Sequence, residues 1–306
     1  MKEISAENSS HRKSVEQRAI FITINSKFVP ITRLFLNSLR RNYPNYPELL
    51  IHYTDLSSKD LELLRQYPRV KLISLDRFPD LATGPIMNGI GKIVDPRVFY
   101  SRLLIWTPMY EAYDKIMFMD VDILVLHDLE ELWQHDFFIV QEPYSGEDNV
   151  FYDHNDVNLK KLIYEIGIDE NIPRSNAGLF VISKKWRNAQ EYSFLMQIIT
   201  KFSSYIKWAD QSVINIWMKA RNIVPSKDLR FNFIHNQFQV GYDRAFLNKI
   251  RVIHFNGTHD NKKRMIYMKA ANILFNLTRK VSFYADFLKF ERRTMFFIRK
   301  FRKSAS

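Results

Sequence analysis

Two aspartates interrupt one of the most apolar stretches of the chain. Asp120 and Asp122 stand two positions apart within 115–125. Apart from these two aspartates and Lys115, all residues of this segment are apolar. On a strand, residues two apart point to the same side, and unpaired buried carboxylates are costly. A divalent cation resolves this, and oxygen ligands in a chain without cysteine favour Mn²⁺ or Mg²⁺. The alternative is that Asp120 caps the next turn and Asp122 is solvated at the strand end.

The segments around this pair alternate between strand and helix patterns. The predicted strands cover 18–24, 49–53, 70–75, 115–125 and 250–255, and the predicted helices cover 31–41, 60–66, 99–113 and 211–219. This alternation favours an α/β fold with a mostly parallel sheet covered on both faces. In such sheets ligands bind beyond the carboxyl ends of the strands, where the aspartate pair is expected to lie.

The excess positive charge lies near the end of the chain. The 306 residues have a formal net charge of +12, and 262–303 holds thirteen Lys and Arg against two acids, which leaves the preceding part nearly neutral. Aromatic and aliphatic residues are interspersed with these cations, a composition typical of amphipathic helices that lie on an anionic membrane. The sequence therefore predicts a basic amphipathic helical tail. The alternative is a terminal helix packed on the body with its cations solvated.

Composition also limits the compartment and the partners. The chain has no cysteine, which excludes a disulfide-linked partner and suits a reducing compartment. No apolar run approaches a membrane span, and the first 17 residues lack the apolar core of a signal peptide. No RNA-binding or zinc-finger pattern supports a nucleic-acid partner. We expect a flexible tail over 1–17, a globular domain over 18–264 and a membrane-associating tail over 265–306. The protein is expected in the cytoplasm, peripherally bound to the inner face of the membrane.

Several short segments, in a fixed order over 18–264, resemble the retaining glycosyltransferases of family eight, which include bacterial lipooligosaccharide galactosyltransferases and glycogenin. The segments are 102–104, 119–125, 128–133, 175–182, 209–215 and 253–257. The resemblance implies a single GT-A type, Rossmann-like domain. It also implies that Asp120, Asp122 and His254 hold Mn²⁺ (or Mg²⁺), with Asp120 near the ribose of a UDP-sugar.

The resemblance implies further roles in binding the donor. Asp210 hydrogen-bonds donor hydroxyls, and Gln211 faces the anomeric carbon. The other donor-binding residues, together with the glycine-rich segment around Gly89, are Thr23, Asn25, Arg102, Asn176, Gly178 and Gly257. Because an amide is a poor nucleophile, we prefer front-face substitution with retention, in which the leaving phosphate deprotonates the acceptor.

One position departs from the family pattern. The pattern His-x-x-Gly-x-x-Lys places lysine at position 260, where this chain has Asp260. Either the loop is longer and Lys262 supplies the phosphate contact, as we expect, or this contact is absent.

The resemblance implies a metal-dependent retaining hexosyltransferase that moves galactose or glucose from a UDP-sugar to a glycan, and we expect lipopolysaccharide, lipooligosaccharide or another surface or lipid-linked glycan as the acceptor. The acceptor is expected against 141–175, including Glu142, Glu147, Asp148 and Asp153. One alternative is a non-catalytic membrane or polyanion adaptor. Another is a nucleotidyltransferase, although 25–30 lacks the glycine-rich basic loop that cradles triphosphate.

Overall fold

The computed structural model describes residues 16–78, 95–142, 150–153, 155–168, 171–239, 241–256 and 261–291. Several features singled out in the sequence lie outside these ranges: residues 1–15 of the predicted N-terminal tail, the segment around Gly89, Glu147 with Asp148, Gly257, Asp260, and the end of the basic tail from 292 onward.

Within the described residues, nine strands form two sheets. They are β1 (Arg18–Ile24), β2 (Glu48–Tyr53), β3 (Val70–Ser74), β4 (Lys115–Met119), β5 (Ile123–Val125), β6 (Phe137–Gln141), β7 (Ser175–Ser183), β8 (Phe233–Ile234) and β9 (Val252–His254). The central sheet has the order β3-β2-β1-β4-β7-β6, and a small sheet has the order β5-β9-β8. Strands β1 to β4 are parallel, whereas β7 is antiparallel to both of its neighbours. The mostly parallel sheet predicted from the sequence is confirmed.

Helices cover the central sheet on both faces. They are α1 (Val29–Asn42), α2 (Ser58–Arg65), α3 (Pro96–Tyr100), α4 (Val157–Glu165), α5 (Ala189–Phe202), α6 (Ala209–Ala220), α7 (Arg244–Leu247), α8 (Asn261–Thr278) and α9 (281–291). Apolar side chains of α1 and α8 join one hydrophobic core together with the small sheet, and those of α5 and α6 join the other. In α1 the buried positions include Ile31, Phe35 and Leu39, the spacing of one helix face.

The apolar stretch 115–125 is two strands rather than the single strand predicted. Strand β4 pairs with β1 and β7 in the central sheet, and β5 pairs with β9 in the small sheet. Asp120, Val121 and Asp122 form the turn between them. Both strands are almost completely buried, so their apolar patterns do not reveal that they belong to different sheets.

The helix predicted over 99–113 is also broken. The α-helix ends at Tyr100, and two 3₁₀ helices follow at Ser101–Trp106 and Pro108–Tyr110. Thr107 is extended, with ψ of 157°. A residue that precedes proline is driven out of the helical region, and proline offers no backbone N–H. Pro108 therefore ends the helical run.

The first half of the basic tail packs on the body. The boundary predicted at 264/265 falls inside α8, so the helix continues across it. Seven apolar side chains of 265–291, on α8 and α9, are buried in the core that contains β5 and β9: Met268, Ala271, Phe275, Val281, Tyr284, Ala285 and Leu288. Packing on the body is thus observed for 265–291, the alternative left open from sequence. Within the described ranges, no helix combines the length and apolar character needed to cross a bilayer.

Candidate metal and donor site

Three potential metal ligands converge where the two sheets meet. Asp120 and Asp122 lie in the turn after β4, and His254 ends β9, directly opposite Ile123 of β5. Nε2 of His254 is 3.2 Å from Oδ1 of Asp122 and 3.5 Å from Oδ2 of Asp120. One ligand atom from each residue lies within 4.8 Å of the others. The structure therefore brings the three predicted metal ligands together, although the small sheet that carries His254 was not predicted.

Two amides orient the imidazole of His254. Nδ2 of Asn232 donates to the backbone carbonyl and the Oδ1 of Asn176, at 3.3 and 3.0 Å. Oδ1 of Asn232 therefore faces Nδ1 of His254, at 3.1 Å, and accepts a hydrogen bond from the Nδ1–H group. This leaves the lone pair on Nε2 directed at two carboxylates. An amide that accepts from Nδ1–H holds a histidine in the tautomer whose Nε2 can bind metal. Asn232 was not identified from the sequence.

The electrostatics of these groups suit a divalent cation. Burial by itself disfavours a charge on His254, but the carboxylates of Asp122 and Asp120 outweigh it and raise the pKa of the imidazole. Burial raises the pKa of Asp120, against the opposing charge of Arg102. The pKa of Asp122 is lowered because His254 and Arg264 outweigh its burial. The site therefore draws a proton to the position where two carboxylates and an imidazole would share a divalent ion.

Arg102 connects the metal ligands with the start of α6. Its guanidinium pairs with Asp120, at 3.1 Å, and with Asp210, and it donates to the carbonyl of Ala177 at 2.8 Å. The same group lies 4.2 Å from the ring centroid of Phe118. Burial raises the pKa of Asp210 to about 6, against the opposing charge of Arg102. Arg102 is thus a buried bridge between two carboxylates as well as a predicted donor contact.

Gly178 lies against the metal ligands. A bulge in β7 inserts 177–179 between the residues that pair with Ile139 and Val140, and bulges often occur next to active sites. A Cβ on Gly178 would lie 2.1 Å from Cε1 of His254 and 2.8 Å from Oδ2 of Asp120. The carbonyl of Gly178 accepts from the N–H of Asp120 at 2.7 Å. The close approach of this backbone to the metal ligands requires glycine.

Helix α6 begins at the same site. Ala209 is its first residue and has φ of +42°, an uncommon conformation for a residue other than glycine. Trp208 is in the N-cap position, and Asp210 pairs with Arg102. Oε1 of Gln211 accepts from the N–H of Ala177 at 3.3 Å. The two predicted catalytic residues therefore face the bulge of β7, beside the metal ligands.

The remaining predicted residues lie around this centre. Oγ1 of Thr23 is 2.6 Å from Oγ of Ser101, next to Arg102. Oδ1 of Asn25 caps the turn after β1 by accepting from the N–H of Lys27. Lys262 is exposed. Arg264, which sequence reasoning did not single out, reaches Oδ2 of Asp122 at 3.3 Å.

A family comparison identifies the chain. The sequence model of glycosyl transferase family 8 matches residues 19–261. The chain belongs to glycosyltransferase family 8. A Haemophilus influenzae protein with a provisional glycosyltransferase name is 29% identical over 135 residues, which are 44% of this chain and 38% of that protein. The match thus spans less than half the length of that relative.

Solved glycosyltransferases share the fold of this family 8 chain. An active-site variant of LgtC matches with a TM-score of 0.61 and 17% identity, over 83% of this chain and 95% of LgtC. The galactosyltransferase LgtC with donor and acceptor sugar analogues gives 0.59 and 18%, over 82% and 95%. The bifunctional WbbM gives 0.59 and 17%, over 83% of this chain and 49% of its own. The predicted GT-A type fold is confirmed.

Asn232 offers a direct test of how the histidine is oriented. We expect Asn232→Leu to weaken Mn²⁺ binding by about 10- to 100-fold, the range typical of lost second-shell hydrogen bonds. The leucine cannot accept the Nδ1 proton, so the tautomer that exposes Nε2 is no longer favoured. Isothermal titration calorimetry with Mn²⁺ measures the effect. Asn158→Leu, at an exposed position of α4, is the control, and equal losses in both variants would contradict the assignment.

The raised pKa of His254 predicts a pH-dependent metal affinity. Metal requires the neutral imidazole, so below its pKa, which lies above the usual 6.5, protons compete with the ion. We expect Mn²⁺ to bind progressively more weakly as the pH falls from 8 to 6, with proton release on binding. Calorimetry in buffers of different ionisation enthalpy measures both. The exposed His135→Gln variant should behave as wild type, and a flat affinity over this range would refute the prediction.

Proposed function

We propose that the chain is a metal-dependent retaining hexosyltransferase that moves galactose or glucose from a UDP-sugar to a glycan. The observation that carries the proposal is the convergence of Asp120, Asp122 and an amide-oriented His254 in a family 8 fold. LgtC, a galactosyltransferase that binds donor and acceptor sugar analogues, supports a sugar-nucleotide donor. The site offers oxygen and imidazole ligands, which suit Mn²⁺ or Mg²⁺.

We propose that the residues around the cluster contact different parts of the donor. A divalent ion at Asp120, Asp122 and His254 would neutralise the negative charge that develops on the leaving diphosphate. Arg102 holds Asp120 and Asp210 in place. We propose that Thr23 in β1 and Asn25 just after it contact the base, and that Asn176 and Gly178 contact the sugar. Gly257 and Lys262 remain predicted donor contacts.

Retention is proposed from the residues beside β7. Asp210 is already paired with Arg102, and Gln211 has only an amide, which is a poor nucleophile. Neither side chain is well suited to form a covalent sugar intermediate. We therefore favour substitution on one face of the sugar, with Gln211 shielding the other side of an oxocarbenium-like transition state and the leaving phosphate taking the proton of the acceptor.

The acceptor is proposed to approach over the segment that precedes β7. Glu142 accepts from Nδ2 of Asn176 at 3.1 Å and pairs with Arg174, which connects this segment to the sugar-binding turn. Asp153 forms a local turn by accepting from the N–H of Asn155. Hydroxyl-rich glycans are recognised by such carboxylate and amide groups. A lipid-linked or lipopolysaccharide-type glycan is the acceptor we propose.

A panel of nucleotide-sugars tests the proposed reaction. We expect purified protein with Mn²⁺ to hydrolyse a UDP-hexose slowly without acceptor, and to lose this turnover when EDTA removes the metal. UDP release is measured by a coupled assay or by chromatography. Lack of both turnover and metal-dependent binding across the panel would refute the enzyme proposal and favour the non-catalytic adaptor. Turnover of a nucleoside triphosphate with a sugar phosphate would favour the nucleotidyltransferase.

We further propose that the tail attaches the protein to the cytoplasmic face of an anionic membrane. Ile266, Ile273 and Leu277 are exposed on α8, and their spacing of seven and four residues places them on one side of the helix. Phe283 and Phe290 are exposed on α9. An exposed apolar stripe bordered by cations suits the interface of anionic lipid. The lysines of 261–291 are Lys262, Lys263 and Lys269 on α8, Lys280 between the helices and Lys289 on α9.

Substitutions on the exposed stripe test this attachment without removing the tail. We expect Ile273→Ser combined with Leu277→Ser to weaken binding to phosphatidylglycerol-containing vesicles by about tenfold or more, since two apolar side chains lose their burial in lipid. Vesicle sedimentation measures binding, and donor hydrolysis should be unchanged. Val224→Ser, at an exposed apolar residue outside the tail, is the control. Equal binding by the double variant and wild type would contradict the proposal.

A further inference from the structure

Arg264 enters the candidate metal site from the first turn of α8. Its side chain is only 13% exposed, and Nη1 lies 3.3 Å from Oδ2 of Asp122. Its guanidinium carbon lies 5.9 Å from the ring centroid of Phe28, which follows the predicted base-binding residues of β1. Arg264 thus contacts one metal ligand while it lies next to the segment proposed for the donor.

The helix itself separates Arg264 from the lysine expected in this role. Residues two positions apart on an α-helix are separated by about 200° around its axis. Arg264 and Lys262 therefore project to nearly opposite sides. Arg264 is partly buried, whereas Lys262 is exposed. Asp260 stands where the family pattern has lysine. The geometry of α8 therefore gives Arg264 the position inside the site.

The charges of the site suggest what this arginine does. Three carboxylates, Asp120, Asp122 and Asp210, are in contact with the guanidinium groups of Arg102 or Arg264. With three negative and two positive charges, the five groups have a formal net charge of −1, which a divalent cation would change to +1. A divalent cation alone would add two positive charges beside Arg264 and would compete with it for Asp122. A diphosphate that arrives with the metal would offset this excess charge.

We propose that Arg264 couples metal binding to diphosphate binding. It is a counter-ion for Asp122 that weakens binding of the metal alone and strengthens binding of the metal together with the donor diphosphate. The inference rests on the proposed nucleotide-sugar donor. Because coupling between two ligands is reciprocal, the metal should raise the affinity for the diphosphate by the same factor. Arg264 is therefore a residue that favours loading of the metal with its nucleotide over loading of the metal alone.

The test measures binding rather than turnover. Mn²⁺ titrations by calorimetry, with and without saturating UDP, give the coupling factor for wild type, Arg264→Met, Arg264→Lys and Lys269→Met. We expect Arg264→Met to bind Mn²⁺ alone several-fold more tightly and to reduce the coupling factor by on the order of tenfold, within the usual range of such couplings. Arg264→Lys should retain part of the coupling. Lys269→Met removes the same charge from an exposed position of α8 and should behave as wild type.

The outcomes separate this proposal from the proposed function. An unchanged coupling factor in Arg264→Met, or an equal change in Lys269→Met, would overturn the role of Arg264. Titrations with pyrophosphate, corrected for its complex with free Mn²⁺, replace UDP by its diphosphate chemistry alone. Coupling to pyrophosphate but not to UDP would support Arg264 while it refutes the uridine donor. Native circular dichroism of each variant establishes that the protein compared is folded.

Discussion

Replacing Gly178 by alanine is expected to lower kcat/KM for donor hydrolysis by about 100-fold or more, the loss associated with misplacing reactive groups by about 1 Å. The added Cβ would lie 2.1 Å from Cε1 of His254 and 2.8 Å from Oδ2 of Asp120. Two metal ligands would therefore have to move at once. His254 is buried at the end of β9, and Asp120, in the turn after β4, is held by Arg102, so neither can move easily. We expect Mn²⁺ affinity, measured by calorimetry, to fall together with activity.

Gly241 provides a matched control for this substitution. A Cβ on Gly241 would meet no atom within 4 Å, so Gly241→Ala should leave Mn²⁺ affinity and activity close to those of wild type. If Gly178→Ala bound Mn²⁺ as wild type but lost activity, Gly178 would act on the sugar alone, as the sequence predicted. If it kept both, the packing of Gly178 against His254 would be irrelevant to the site.

Replacing Phe275 by alanine is expected to lower the free energy of unfolding by about 3–5 kcal/mol, the usual cost of truncating a buried phenylalanine. Phe275 is 2% exposed in the main core. The ring of His127 packs against its edge, with centroids 5.4 Å apart, and the guanidinium of Arg279 lies 5.1 Å from its centroid. The truncation would leave a cavity between α8 and the body. Urea denaturation measures the loss.

Leu277 is the matched control on the same helix. It is exposed, so Leu277→Ala should change the free energy of unfolding by no more than about 0.5 kcal/mol. Equal stability of both variants would mean that α8 is not part of the folded core. A truncation at residue 265 is therefore a poor test of membrane attachment. It would remove seven buried apolar side chains together with the exposed stripe.

The apolar pattern and the family resemblance together were sufficient for the main residues of the candidate site. Asp120 and Asp122 interrupt an apolar run, and the family resemblance added His254, Asp210 and Gln211. The structure brings all five into one site, around Arg102 and the turn of β7. These residues could be found because an unpaired charge in an apolar segment requires a partner, and because short motifs retain their order along the chain.

Other features depend on contacts between distant segments and left no local signal. Asn232 orients His254 across 22 positions, and Arg264 reaches Asp122 from a helix more than a hundred residues away. An asparagine in a loop and an arginine in a basic tail are common in any sequence. Only the packing of α8 and β8 against the turn after β4 distinguishes these two residues from their neighbours.

The sequence by itself determined the α/β class, the carboxylate pair and the concentration of positive charge after residue 261. It determined them because hydrophobic periodicity and charge are properties of consecutive residues. Only the tertiary structure decided that 115–125 is divided between two sheets, that Gly178 packs on two metal ligands and that the tail up to 291 is partly core. Buried strands of either sheet, and the buried or exposed sides of a basic helix, have similar compositions. Which neighbour each segment meets is therefore settled by long-range packing.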